Sequence, residues 1–256
     1  MSKPSTNLIL LTHKCGNSYF NKTFKKDPTL LQFLSDDLRE KEMPGPSLEG
    51  LKGSKKSFAN IRCRNFNTLS TMRILDLVNI EKTNIFLCIR HPASFFRSAT
   101  KYHQESPEKW SLEQRYLHLK GQTLHEALVN EPNNDEKLII SMKHFGLAWQ
   151  LPLRWLSNYH YLSSIGKDVT ILKTEDLFMN GSDSFFKSVA NKMSHDGYQI
   201  DASTLLKASP ITMNSLPKHS TGEFKKDFFS GFGDKAIKFY NSHFKGIESE
   251  LYKSSR

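Results

Sequence analysis

With 256 residues, 38% of them hydrophobic, the chain can close one sizeable core and offers no compositional ground for several domains, so a single domain over residues 1–256 is expected. Lys and Arg number 36 against 26 Asp and Glu, a formal charge of +10 that favours an anionic ligand: a nucleotide, a nucleic acid or an acidic membrane surface. The cations are scattered, in pairs such as Lys25–Lys26 and Lys55–Lys56, and no run reaches the roughly 18 apolar residues of a membrane helix, so neither a nucleic-acid partner nor stable membrane insertion is expected.

In chain order, the apolar run Leu8 to Leu11 reads as a central strand of a parallel sheet. A polar turn follows at His13, Lys14, Cys15 and Gly16. Gly16 permits close backbone approach to a ligand, Asn17 or Ser18 can cap the next helix, and the free amides there would face an anion beside the Lys14 ammonium. An ordinary strand-to-helix turn with an exposed Lys satisfies the same local pattern. The order of Lys14 and Gly16 departs from GxxxxGK[ST], so a Walker loop is not indicated. Pro28 to Lys41 (PTLLQFLSDDLREK) reads as an amphipathic helix, Met43 to Ser57 as a loop rich in Pro, Gly and Lys, Phe58 to Arg64 as a further strand, and Thr68 to Val78 as a helix.

Ile85 to Ile89 repeats the first design with different chemistry. Arg90 stands at the carboxyl end of this strand, Pro92 suits the first turn of a helix, and Ser98 falls about two turns in. A guanidinium fork and a hydroxyl suit phosphate oxygens, although a carboxylate partner for Arg90 and a solvated Ser98 fit the pattern too. Gln104 to Asp135 is polar, with a clean period only around Tyr116 to Leu128, and is expected with 43–57 to shape a binding site, surface decoration being the equal alternative. Asp234 to Leu251 carries apolar residues at helical spacing. Alternating strands and helices imply an α/β fold, with a central parallel sheet covered by helices and ligands at the carboxyl ends of its strands.

These two stretches together resemble the sulfotransferase family. Lys14, Cys15, Gly16, Asn17, Ser18 and Tyr19 are similar to its K-x-G-[ST]-[ST]-[WY] loop for the 5′-phosphosulfate of 3′-phosphoadenosine 5′-phosphosulfate (PAPS), and Arg90, His91, Pro92 and Ser98 to its R-[NDH]-P-x-x-x-x-x-S element for the 3′-phosphate. Val169 to Leu177 (VTILKTEDL) resembles the family strand ending in YEDL, with Thr174 in place of the aromatic. Trp149 to Trp155 resembles the aromatic-rich helix before it, and Lys218 to Lys225 (KHSTGEFK) a decayed RKGxxGxWK segment. The resemblance implies a P-loop-like sulfotransferase fold and transfer of a sulfuryl group from PAPS to a small-molecule or glycan acceptor, with release of adenosine 3′,5′-bisphosphate (PAP).

By the same resemblance, Lys14 reaches the bridging oxygen and the amides of Gly16 to Tyr19 hold the 5′-phosphate; Tyr19 lies either against adenine or in the core, as an aromatic early in a helix often does. Arg90, Ser98, Lys218 and His219 serve the 3′-phosphate, and Ser98 restrains Lys14 until acceptor arrives. The reaction also calls for a base. The usual family His is missing from Arg62 to Phe66, and Lys22 stands where glycan-active members carry Glu, which leaves His13, His103, His144, Asp36 and Glu40 as candidates. His103 is placed with Lys14 and Ser98 in the catalytic set. Ten histidines without an HxH or HxxxH pattern give no ground for a metal. Cys15, Cys63 and Cys88 lack CxxC spacing, and MSKPSTNLILLTH lacks the apolar length of a secretion signal, so a reducing, cytoplasmic setting is expected. A small-molecule kinase with a degenerate phosphate loop, or a non-catalytic basic anion-binding protein, would share parts of this pattern.

Overall fold

The computed structural model describes residues 6–12, 14–15, 19–20, 23, 31–35, 60–64, 68–76, 78, 80–105, 107–195, 198–208 and 227–253, with backbone alone at 31–35, 60–64, 70, 179–180 and 208. The chain divides into two compact units, one drawn from residues 1–89 and 157–215, the other from 90–156 and 216–256. The described strands are β1 (Thr6–Leu11), β2 (Leu31–Ser35), β3 (Asn60–Arg64), β4 (Thr83–Ile89), β5 (Arg115–Tyr116), β6 (Gln122–Thr123) and β7 (Val169–Lys173).

In the first unit, five strands form a parallel sheet in the order β2-β3-β1-β4-β7, the α/β architecture expected from the sequence. The runs LILL of β1 and LCI at the end of β4 have no exposed surface, as a sheet covered on both faces requires. β3 and β4 lie on opposite sides of β1, with Leu10 opposite Cys63 on one flank and Leu87 on the other. The chain's progress across the sheet therefore reverses at β1, and open parallel sheets bind ligands at the carboxyl edge beside such a reversal.

One face of this sheet packs Ile9, Leu11, Phe86, Cys88 and Leu172 against Phe186, Val189 and Met193 of the helix Asp183–Met193. At the amino ends of the strands, Asn7 donates to the Met193 carbonyl (2.6 Å), while Asn84 donates to Asn7 Oδ1 (3.2 Å) and the Lys192 carbonyl (2.8 Å). These amides, Asn7's buried and Asn84's partly exposed, cap the end of that helix and pin the sheet to it.

The helix expected over Pro28 to Lys41 is corrected: residues 31–35 form β2, paired in parallel with β3. The short apolar run LLQFL suits either state by periodicity, and an unfilled sheet edge beside β3 decides for strand. The rest of that segment and the whole loop 43–57 lie outside the described residues.

The second unit is built around the helix Pro92–Glu105, whose Phe95 and Phe96 meet Phe145, Trp155 and Phe244. Gly146 permits this approach, since a Cβ there would collide with the rings of Phe244 and Phe96. Asp135 accepts backbone N–H bonds from Gly233 (2.6 Å), Lys235 (3.2 Å) and Ala236 (3.3 Å), capping the helix Asp234–His243 from a distant part of the chain. The expected helix over Asp234 to Leu251 breaks at Phe244 into Asp234–His243 and Lys245–Lys253. Gln104 to Asp135 is largely regular rather than loop: the helix Lys109–Glu113, the β5–β6 hairpin, and the helix Leu124–Asn130, which opens with a capping box of Thr123 and Glu126.

Candidate active site

The turn after β1 is closed by Cys15, whose N–H donates to the Thr12 carbonyl (3.2 Å) while the Thr12 hydroxyl donates to Cys15 Sγ (3.3 Å). Between them Lys14 takes a left-handed backbone, φ 59°, and its side chain is half-buried. That conformation costs a non-glycine residue about 1–2 kcal/mol, so the surrounding turn must hold it. The special backbone expected at Gly16 is not tested among the described residues; the left-handed residue in the described part of the turn is Lys14. Gly16, Asn17, Ser18, His13, Asp36, Glu40, Lys218 and His219 lie outside the described residues.

Cys15 is fully buried, a core thiol rather than an exposed loop thiol. Burial first, and Cys15 second, push the Cys88 thiol up. Tyr19 is 2% exposed; it meets Phe20 and Phe178 edge-on and donates its hydroxyl to the Leu205 carbonyl (2.9 Å). Its ring is committed to the core of the first unit, and burial raises the phenol's pKa.

Arg90 directly follows β4 and is 4% exposed. Its Nε and Nη2 donate to the Ser94 hydroxyl at 3.2 and 3.1 Å, a contact the i, i+4 spacing made readable and the sequence reading missed. Ser98 lies one turn further along the same helix and is also buried. Next to Arg90, His91 stacks on Phe228 (4.0 Å, 17°) and sits 3.6 Å from Glu248. Glu248 also accepts from Tyr240 (2.7 Å) and Lys245 (3.0 Å). Burial alone would raise this carboxyl, but the bonds from His91, Tyr240 and Lys245 outweigh it and hold the pKa at about 2. Arg97 donates to the carbonyls of Asp227 (3.0 Å) and Ser230 (3.1 Å), tying the Asp227–Ser230 turn to the helix Pro92–Glu105.

His103 is fully buried, stacked on Phe145 (5.4 Å) and edge-on to Trp110 (4.9 Å). Five residues separate it from Ser98, a rise of roughly 7 Å and a turn to another side of the helix. His144 is buried in the same aromatic cluster, 3.0 Å from His118. In the first unit, β7 stops at Lys173 and the Thr174 hydroxyl donates to the Ile89 carbonyl (2.8 Å), so the residue that departs from the family pattern ties β7 to the end of β4. Among the described residues no helix is long and apolar enough to cross a membrane, and no group of three His, Cys, Asp or Glu side chains could hold a metal.

No protein-family model and no curated protein sequence matches the chain. Among solved structures, it matches mouse sulfotransferase SULT7A1 complexed with PAP, with a TM-score of 0.56 and 13% identity, over 100% of this chain and 91% of the other. A fit of that extent at so low an identity establishes architecture: the chain has the sulfotransferase fold.

Proposed function

We propose that the chain is a single-domain, PAPS-dependent sulfotransferase that moves a sulfuryl group to a hydroxyl or amine of a small-molecule acceptor and releases PAP in the cytoplasm. One observation carries the reading. Lys14 lies in the turn after β1 and Arg90 follows β4, and β1 and β4 are neighbouring parallel strands whose carboxyl ends leave the sheet side by side. The match to a sulfotransferase complexed with PAP supports it. The donor set fits phosphate: a buried guanidinium with serine hydroxyls on the first turns of its helix, and an ammonium on a strand-end turn.

When bound, PAPS supplies the sulfuryl group on an activated phosphate. Lys14 neutralises the charge that grows on the leaving phosphate oxygen, and backbone N–H groups of 16–19 hold that phosphate. Arg90 and Ser98 would anchor the 3′-phosphate, with Lys218 and His219 as the further residues the family resemblance gives to it. Segments 43–57 and 104–135 shape the acceptor site. Positioning and charge stabilisation are the main demands of such an in-line transfer.

Thermal shift with PAP, ATP plus Mg²⁺, and AMP tests the reading. Selective stabilisation by PAP is the expected result. Preference for ATP would assign the chain to the kinases, and indifference to all three would leave an anion-binding protein.

A further inference from the structure

The residue after Arg90 is held more firmly than a helix start requires. His91 precedes Pro92, and its carbonyl accepts the Phe95 N–H (2.9 Å), so it stands at the N-cap of the helix Pro92–Glu105. Ser, Thr, Asp and Asn are the residues favoured there, because their short oxygens bond the helix N–H groups. The His91 ring is engaged elsewhere. It is 4% exposed, stacks on Phe228 (4.0 Å, 17°), meets Tyr252 (5.4 Å) and Phe229 (5.9 Å) at steep angles, and brings Nε2 to 3.6 Å from Glu248.

These partners are fixed in their turn. Arg97, on the same helix as Arg90's Ser94, donates to the Asp227 and Ser230 carbonyls on either side of Phe228 and Phe229. Glu248 accepts from Tyr240 (2.7 Å) and Lys245 (3.0 Å), and the Tyr240 ring lies edge-on to Phe229 (5.0 Å). Burial raises the Glu248 pKa, but the bonds from His91, Tyr240 and Lys245 bring it to about 2, so the carboxylate keeps its grip near neutral pH. Those three donors also satisfy a negative charge that would otherwise oppose an anion at the neighbouring Arg90. Arg90 through Tyr252, all the residues concerned belong to the second unit.

From this geometry we infer that His91 and Glu248 are positioning residues for the 3′-phosphate anchor: by locking the backbone next to Arg90, they present its guanidinium to that phosphate already oriented. The inference rests on the sulfotransferase reading and adds to it the means by which the anchor is held. Arg90 is then fixed at two points, its side chain by the Ser94 hydroxyl and its backbone by the clasp on His91. A binding group held in advance gives up less freedom when the ligand arrives, so loosening it weakens the phosphate it serves and spares the rest of the nucleotide.

The test is calorimetric titration of wild type, His91→Phe, Glu248→Gln and the double variant with PAP and with 5′-AMP, which differ by the 3′-phosphate alone. His91→Phe keeps a ring on Phe228 and removes the nitrogen that faces Glu248; it should raise the PAP dissociation constant about tenfold and that of 5′-AMP by less than about twofold. Glu248→Gln should raise the PAP constant about threefold, and the double variant should bind PAP no more weakly than His91→Phe, because both changes break one contact. Equal weakening of PAP and 5′-AMP would mark a general loosening of the fold and overturn the proposal, as would strictly additive effects or an unchanged preference for PAP. A wild type that does not prefer PAP to 5′-AMP removes the 3′-phosphate reading itself, and the positioning role with it. Should His91→Phe misfold, the near-isosteric Glu248→Gln decides alone, and an unmoved ratio of the two constants counts against the clasp.

Discussion

The turn after β1 and the helix start after β4 face the same demand, a positive charge at a strand end, and meet it in different ways. Arg90 is buried and held by its own helix through Ser94, with His91 beside it clasped by Phe228 and Glu248. Lys14 is half-buried on a left-handed backbone, in the turn that the Cys15 N–H closes on the Thr12 carbonyl. A preorganised, desolvated guanidinium suits a fixed anchor, whereas an ammonium on a four-carbon stem can follow charge as it moves. Under the proposed function, the contrast suits binding to the second region and chemistry to the first.

Four measurements break or sharpen that division. Lys14→Ala should lower the rate of sulfuryl transfer about 10²–10³-fold while PAP affinity changes little, the signature of a group that acts on developing charge. Single-turnover assays and PAP titration separate the two, and transfer at the native rate would remove Lys14 from the role. Arg90→Ala should do the converse, raising the PAP dissociation constant about 100-fold through the loss of charge-assisted bonds. An unchanged constant by calorimetry would exclude the anchor.

Lys14→Gly should be more stable than Lys14→Ala by about 1 kcal/mol in urea unfolding, because only glycine occupies the left-handed region freely. Equal stabilities would mean that the turn relaxes on substitution. The smallest effect is expected from Glu248→Gln. The Glu248 carboxyl lies near 2 in the folded state against an ordinary 4.5, so the stability it contributes is complete above about pH 4.5 and is lost as pH falls toward 2. The Gln variant should therefore lose less stability than the wild type between about pH 5 and about pH 3 in urea midpoints. Parallel acid limbs would show that the tie at His91 is energetically silent.

Much of this was legible in the residues. The runs LILL and IFLCI, each followed by a polar turn, identify buried parallel strands, because only a strand covered on both faces is apolar at every position. Arg90 at a strand end and the helix from Pro92 follow from local rules. Pro28 to Lys41 misled, because the four apolar residues of a short run satisfy helix and strand alike and only pairing with β3 chooses. Gln104 to Asp135 misled in the other direction: its helices and hairpin are too short to show a period.

Residues close in sequence determined the strand-turn-helix units by themselves, since backbone sterics, capping and apolar runs act over a few positions. Only the tertiary structure decided that β1 and β4 are neighbours, that Tyr19 belongs to the core, and that His118 meets His144 across 26 residues of chain. Those outcomes depend on which buried surfaces and hydrogen-bonding edges find each other, and no local pattern carries that information.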